Sequence, residues 1–162
     1  MSNPKIVPDS LFETHLNVRD LDRAMDFYRD VVGLEHAYTS PQRQVAFFWI
    51  GGRGQSMLGL WAGGISPNTL KLHVAFRVDL ESVLEAPSHL RACGVEPLDF
   101  FGNPANEPSV IGWMPAASVF FQDPDANLLE FIAMLPDAPR AEAGVMTYSN
   151  WQTLRNQGHA EG

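Results

Sequence analysis

Two histidines and one glutamate have the types and settings that could bind a metal ion. His15 stands in the stretch "FETHLNV" and His73 in "LKLHVAFRV", and in both stretches apolar and polar residues alternate as in a β-strand. Glu130 lies in the apolar stretch "LLEFIAML", where a carboxylate is costly unless it is paired or bound to a cation. Two imidazoles and one carboxylate are a ligand set of divalent transition metals that leaves coordination positions open for a substrate.

Each of these residues also has an ordinary explanation. A histidine on a strand can be a hydrogen-bonded or solvent-facing side chain with no further role. Lys71 and Arg77 share the predicted strand face of His73, and an ion pair with either would account for Glu130. The residues alone leave both interpretations open, because they do not show that the three strands converge.

The strand around His15 opens a predicted β-α-β-β-β unit. Asp20 has the position of a helix N-cap, and apolar residues recur at helical spacing until Gly33 supplies a C-terminal stop. Three short apolar runs separated by turn residues then predict strands: "LEHAY", "QVAFFWI" and "QSMLGLWA".

The second half of the chain repeats this plan, with His73 at the place equivalent to His15. Asp79 and Gly94 mark the ends of a predicted helix, and Pro87 inside it predicts a kink or two short helices. Three further runs are predicted strands: "VEPLDF", "ASVFFQ" and "NLLEFIA".

Composition limits the classes of function. A chain of 162 residues with 45% hydrophobic and 19% charged residues is typical of one globular domain or two small modules. The net charge of −8 argues against nucleic acid as a partner. We expect no membrane association and a cytoplasmic location, since no apolar run approaches a span and no signal peptide is evident. The single cysteine agrees with a reducing compartment. The negative net charge leaves a small molecule or a protein as the expected partner.

The stretches "HLNVRDLDRAMDFYRDVVGLE" and "VFFQDPDANLLEFIA" resemble the vicinal oxygen chelate superfamily. That superfamily contains glyoxalase I, extradiol dioxygenases, fosfomycin-resistance thiol transferases and bleomycin-resistance binding proteins. The resemblance implies an α+β, glyoxalase-like fold, in which two β-α-β-β-β modules form an eight-stranded, cup-shaped mixed sheet. It also implies that His15, His73 and Glu130 hold one divalent metal ion per chain, for which Zn, Mn, Fe, Ni and Co are all suitable.

The resemblance covers about residues 11–134 and sets the predicted domain boundaries. They are an N-terminal tail, 1–10; a glyoxalase-like domain, 11–134, with module one at about 11–62 and module two at about 70–134; and a C-terminal extension with a short helix, 135–162. The extension either packs over the cup or against a second subunit. Because related cups are often completed across a two-fold interface, we expect a homodimer.

Two positions depart from the family pattern. Glyoxalase I has a fourth ligand, a glutamate or similar residue, on the last strand of module one, and the sequence aligns Gly59 there. The family turn "DPDG" is "DPDA" here, so Ala126 replaces a glycine that tolerates positive φ. We expect a slightly different turn, with Asn127 in the left-handed conformation.

These features predict a metal-dependent enzyme of the lyase, isomerase or thiol-transferase type, in which Glu130 takes part in proton transfer. The segment "FGNPANEPSVIGWMPAA" is predicted to be a long loop of the kind that covers a site. Candidate substrate-binding residues are Asn17, Phe48, Trp61 and Trp113. The alternative is a metal-free binding protein of the bleomycin-resistance type. An extradiol dioxygenase is the least favoured option, since the sequence offers no convincing additional His and Tyr near the metal.

Overall fold

The structure is a computed structural model that describes residues 10–62 and 71–158. The chain divides into two compact units, residues 1–70 (unit one) and 71–162 (unit two), and each is considered by itself. Most of the predicted N-terminal tail, the segment joining the predicted modules and the last four residues lie outside the described residues.

Unit one is a four-stranded mixed sheet with one helix. Its elements are β1 (Glu13–Asn17), α1 (Leu21–Asp30), β2 (Glu35–Ser40), β3 (Val45–Ile50) and β4 (Ser56–Trp61). The strand order is β1-β4-β3-β2, with β1 parallel to β4 and the other pairs antiparallel. The histidine-bearing strand β1 is therefore an outer strand of its sheet.

Local signals fix the helix of unit one where the sequence predicts it. The side chain of Asp20 accepts a hydrogen bond from the backbone N–H of Arg23 at 3.0 Å, which is the geometry of an N-cap. Gly33 follows the helix with φ of 80°, in the left-handed region that glycine adopts without strain. The helix buries Ala24 and Tyr28, and Tyr28 contacts Phe48 of β3.

Unit two repeats this arrangement and adds a strand. Its elements are β5 (His73–Arg77), α2 (Leu80–Ala92), β6 (Ser109–Ile111), β7 (Ala116–Gln122), β8 (Leu128–Met134), a 3₁₀ turn (Ala141–Ala143), β9 (Val145–Thr147) and α3 (Tyr148–Gly158). The strand order is β5-β8-β7-β6-β9, with β5 parallel to β8. The predicted α+β, glyoxalase-like fold class is confirmed, and the described residues form sheets of four and five strands.

The fifth strand of this sheet comes from the predicted C-terminal extension. β9 pairs with β6, and the carboxylate of Glu107 accepts hydrogen bonds from the backbone N–H and the hydroxyl of Ser149 at the start of α3. Trp151 is buried, and its indole N–H donates to Asp137 at 3.2 Å. The extension therefore packs on its own unit and covers the edge that β6 would otherwise expose.

Three predictions of local structure in unit two are wrong. The stretch "VEPLDF" is not a strand, because only Leu98 bridges to β7, and the paired strand in this region is β6. Strand β6 lies inside the segment predicted to be one long loop. Of the two alternatives given for Pro87, a division into two short helices is wrong, because α2 is a single 13-residue helix that contains Pro87.

The turn before β8 also differs from expectation. Ala126, not Asn127, takes the left-handed conformation, with φ of 66°. Asp123 stabilises this turn by accepting hydrogen bonds from the backbone and the side-chain amide of Asn127, both at 2.8 Å. Asn127 Oδ1 in turn accepts a hydrogen bond from the backbone N–H of Leu72 at 3.0 Å. The buried Asn127 side chain therefore links the start of β5 to the start of β8.

No helix within the described residues is long and apolar enough to cross a membrane.

Candidate metal centre

His73 and Glu130 lie next to each other in unit two. In the parallel β5–β8 pair, Ala75 is the strand partner of Glu130, which places His73 on the same face two residues earlier. The distance between His73 Nε2 and Glu130 Oε2 is 3.1 Å. The side chain of Glu130 is only 6% exposed, whereas that of His73 is 48% exposed. The pair therefore has a buried carboxylate with an accessible imidazole beside it.

One oxygen of this carboxylate has no partner. Glu130 Oε1 is buried and makes no hydrogen bond within the described structure, and Oε2 faces His73. Within residues 10–62 and 71–158, Glu130 pairs with His73 and forms no ion pair with Lys71 or Arg77, so a structural Lys or Arg pair does not account for it there. An unsatisfied buried acceptor costs about 1–3 kcal/mol, and more when it is charged. A cation bound at this carboxylate would remove that cost.

The imidazole of His73 is oriented in the way that metal-binding histidines are. Its Nδ1 lies 3.2 Å from the carbonyl oxygen of Leu128, to which an Nδ1–H donates. In a neutral imidazole this leaves Nε2 as an acceptor, so two acceptors, Nε2 and Glu130 Oε2, then face each other. A backbone carbonyl that fixes the ring through its other nitrogen is the usual support of a metal-ligating histidine. His73 and Glu130 therefore fit two of the ligand positions of a divalent metal ion.

Two phenylalanines, Phe120 and Phe100, continue an aromatic row that begins at His73. Phe120 stacks on His73 with ring centroids 6.3 Å apart, and Phe100 meets Phe120 edge-on at 5.9 Å. Phe120 is also the strand partner of Glu130. Sequence reasoning missed both phenylalanines. The alternation of residues along β8 does not reveal that Phe120 lies beside Glu130, because this depends on how β7 pairs with β8. No sequence pattern near Phe100 predicts that it lies close to this site.

The loop that carries Phe100 is held by Asp99. The carboxylate of Asp99 accepts hydrogen bonds from the backbone N–H groups of Phe101 and Asn103, both at 2.8 Å. Burial alone would raise the pKa of Asp99, but these bonds and those from the Asn103 side chain hold its pKa below the usual value. Ser109 Oγ accepts from the backbone N–H of Phe100 at 3.1 Å. The loop is therefore ordered by its own hydrogen bonds.

His15 has a different setting in unit one. Its Nε2 lies 3.0 Å from Glu13 Oε1, and both side chains are partly exposed, at 46% and 37%. Glu13 lies two residues before His15 and therefore on the same strand face, a spacing from which the sequence alone could predict the pair. Among the described residues, no three His, Cys, Asp or Glu side chains cluster closely enough to hold a metal ion.

Gly59 determines where the ring of His15 can lie. The two residues are strand partners in the β1–β4 pair. A Cβ atom on residue 59 would be 2.6 Å from His15 Cδ2 and 3.1 Å from a ring carbon of Phe47. Such distances are shorter than carbon atoms tolerate without displacement. Gly59 therefore leaves space for the imidazole of His15 between strand β4 and Phe47. It also has no side-chain atom that could bind a metal.

The position that corresponds to Glu130 in unit one is Trp61. Trp61 lies two residues after the strand partner of His15, as Glu130 lies two residues after the strand partner of His73. The sequence aligned Gly59 with the fourth-ligand position of glyoxalase I, whereas counting from each histidine assigns Trp61 to the equivalent of Glu130. By either count, unit one has no carboxylate on β4 beside its histidine.

The other three predicted substrate-binding residues, Asn17, Phe48 and Trp113, do not lie on one common surface. Asn17 is exposed on the face of His15 and is the strand partner of Trp61. Phe48 is buried on the opposite face under α1, and its neighbour Phe47 is the phenylalanine that meets His15. Trp113 is 65% exposed in the turn between β6 and β7.

Comparison with known proteins identifies the family. The family model of the Glyoxalase/Bleomycin resistance protein/Dioxygenase superfamily matches residues 10–131, and the chain belongs to this superfamily. The chain is 29% identical to an integron cassette protein from the mobile metagenome of Halifax Harbour sewage outfall, with 78% of this chain and 100% of that chain covered and a TM-score of 0.65.

Two further similar structures come from proteins with named activities. Lactoylglutathione lyase from Agrobacterium tumefaciens is 28% identical, with 78% of this chain and 95% of that chain covered and a TM-score of 0.59. The fosfomycin resistance protein FosX from Listeria monocytogenes, in a crystal structure with Mn(II) and sulfate ion, is 25% identical, with 81% and 94% covered and a TM-score of 0.57.

Proposed function

We propose that this protein is a metal-dependent enzyme that binds a small-molecule substrate through two oxygen atoms chelated to one divalent ion. His15, His73 and Glu130 are the proposed protein ligands, and Zn, Mn, Fe, Ni and Co are all compatible with them. The observation that carries the proposal is Glu130, whose buried Oε1 has no hydrogen-bond partner among the described residues while Oε2 faces His73. The similarity to a lyase and to a protein crystallised with Mn(II) supports an enzyme.

A divalent ion bound by these residues would polarise the chelated substrate oxygens as a Lewis acid. The chain's own groups have separate tasks. Glu130 Oε1 is an acceptor without a donor, so it is the proposed atom that takes a proton from the substrate. Phe120, which stacks on His73, is proposed to hold the imidazole in place, and Phe100 packs edge-on against Phe120.

Within the enzyme class, a lyase or isomerase and a thiol transferase are the two proposed reaction types, and an extradiol dioxygenase is the least favoured. The alternative outside this class is a protein that binds a drug or metabolite without a metal. The unsatisfied carboxylate favours the enzyme, because a binding protein without a metal gains nothing from a buried, half-paired charge.

Metal analysis of protein purified without a polyhistidine tag tests the proposal. We expect about one divalent ion per chain in the wild type and loss of tight binding in His73→Ala, because two ligands hold such an ion weakly. His89→Ala is the matched control, since His89 lies on α2 and should leave the metal content unchanged. A wild type that takes up no ion, or a His73→Ala variant with full metal content, contradicts the proposal and favours the binding protein.

We also propose that the protein is a homodimer, as related cups often are. Light scattering should give twice the chain mass of 17.9 kDa at micromolar concentration. A mass that stays at that of one chain over the whole accessible concentration range refutes the dimer. A cytoplasmic location stays a prediction.

A further inference from the structure

Trp61 has an unused hydrogen-bond donor on the face that carries His15. Its indole Nε1 is buried and makes no hydrogen bond within the described part of the chain. The ring lies 5.5 Å from the ring of His15 and 6.4 Å from that of Phe47, so the indole belongs to the same face of the sheet as both. A buried N–H without an acceptor costs about 1–3 kcal/mol, which a bound acceptor would recover.

The charge around this donor favours a negative acceptor. The guanidinium of Arg43 lies 4.8 Å from the centroid of the Trp61 ring, in a cation–π arrangement. The strand partner of Trp61 is Asn17, which is neutral, and the carboxylate of Glu13 is occupied by His15. Arg43 therefore adds positive charge over the face of the indole, while the N–H donor lies at the edge of the same ring.

The position of Trp61 strengthens this interpretation. It is the equivalent of Glu130, and in both units this position holds a buried polar atom without a partner. In unit two the atom is an acceptor with negative charge, and in unit one it is a neutral donor. Trp61 and Glu130 thus occupy equivalent backbone positions, but one side chain can only donate a hydrogen bond and the other accepts.

We propose that the indole N–H of Trp61 is a substrate-positioning donor that binds an anionic oxygen of the substrate, with Arg43 contributing positive charge beside it. This inference rests on the proposed function and narrows its substrate class. The substrate would carry an oxyanion such as a phosphonate or carboxylate in addition to the oxygens it offers to the metal. Hydrogen bonds to charged acceptors are among the stronger ones in proteins, so the donor can discriminate such substrates from neutral analogues.

Proton–nitrogen NMR of the indole groups tests the inference directly. The protein has four tryptophans, and the Trp61 signal is assigned as the one missing from Trp61→Phe. Zinc-loaded protein is titrated with methylphosphonate, or with hydroxyacetone as a neutral ligand. We expect a saturable downfield shift of the Trp61 indole proton with methylphosphonate and a much smaller one with hydroxyacetone. Trp151, which already donates to Asp137, is the internal reference that should not move.

Affinity measurements on variants complete the test. Trp61→Phe should weaken methylphosphonate binding by about tenfold or more, as expected for loss of a hydrogen bond to a charged group, and leave zinc affinity within about twofold. Trp49→Phe is the matched control on β3 and should change neither affinity. The remaining indole signals of Trp61→Phe show that the variant is folded.

The outcomes separate this inference from the proposed function. If zinc and methylphosphonate bind but the Trp61 signal stays fixed, or if Trp61→Phe keeps wild-type affinity, the inference is wrong and the metal centre stands. If the protein binds no divalent ion, the proposed function fails, and a metal-free titration still decides the role of Trp61. Absence of a saturable Trp61 shift in both titrations overturns the inference.

Discussion

The two units present a histidine on equivalent outer strands and surround it with opposite chemistry. In unit two, His73 faces the buried carboxylate of Glu130 at 3.1 Å. In unit one, the equivalent of that carboxylate is the indole of Trp61, and the partner of His15 is the partly exposed Glu13 on its own strand. The repeated backbone therefore fixes where side chains stand, while residue identity decides whether a position accepts or donates.

The difference extends to how tightly each histidine is oriented. His73 is held by a backbone carbonyl at Nδ1 and by stacking on Phe120. The ring of His15 instead occupies the space that Gly59 leaves open. Unit two thus orients His73 by direct contacts, whereas unit one positions His15 in the space left by the absent side chain of Gly59.

Glu130→Gln should have the largest effect. Changing a residue that hydrogen-bonds to a metal ligand lowers metal affinity by roughly 10- to 100-fold, and changing the ligand itself should lower it further. The melting temperature of the metal-free protein should stay equal or rise, because the neutral amide removes an unpaired buried charge. Isothermal titration and thermal denaturation with a chelator measure the two effects. A metal-free variant that is clearly destabilised would indicate that Glu130 has a structural role.

Trp61→Glu tests whether the two units can be made alike. Glyoxalase I, as the resemblance describes it, uses carboxylates on both sides of its metal, so we expect little or no isomerisation of the glutathione hemithioacetal of methylglyoxal by the wild type. A carboxylate at the position equivalent to Glu130 should raise that rate by about 100-fold, the lower range for a positioned general base. The change in hemithioacetal absorbance measures it.

Two controls accompany this prediction. Trp61→Gln, which has no basic carboxylate, should show no gain. Gly59→Glu should also fail, because its Cβ would displace His15. Efficient turnover by the wild type, or a gain with Gly59→Glu alone, would show that the equivalence of Trp61 and Glu130 is mistaken.

Gly59→Ala should weaken metal binding by about tenfold without unfolding the protein. Displacing the His15 ligand should cost about as much affinity as removing a residue that hydrogen-bonds to a metal ligand. Its Cβ would lie 2.6 Å from His15 Cδ2, so the imidazole must turn away. Leu128→Ala is the matched change beside His73, where the side chain only shrinks, and it should leave affinity nearly unchanged. Competition titration with a chromogenic chelator compares them. Equal affinities in both variants would remove His15 from the ligand set.

Ala126→Gly should stabilise the protein by about 0.5–1 kcal/mol, because glycine adopts the φ of 66° without strain. Gly33→Ala is the counterpart in unit one, where φ is 80° and no atom lies within 4 Å of a new Cβ. It should destabilise by a similar amount through backbone strain alone. Urea denaturation gives both values, and a destabilised Ala126→Gly variant would contradict the strain argument.

Much of the fold and part of the candidate site could be predicted from the sequence. Caps at Asp20 and Asp79, glycine stops and period-two alternation are local signals, so α1, α2 and most strands fall where they are predicted. The cost of burying Glu130 is also visible in its apolar neighbours, and its burial is confirmed. These inferences need only the residues next to one another in the chain.

The sequence by itself determined two β-α-β-β-β halves with a histidine opening each, because capping, turn and alternation signals act within a few residues. Only the tertiary structure decided that Glu130 faces His73, that Gly59 makes room for His15 and that Trp61 corresponds to Glu130. Each of these relations depends on strand register, which pairs residues far apart in the chain and shifts a side chain to the other face with every single-residue slip.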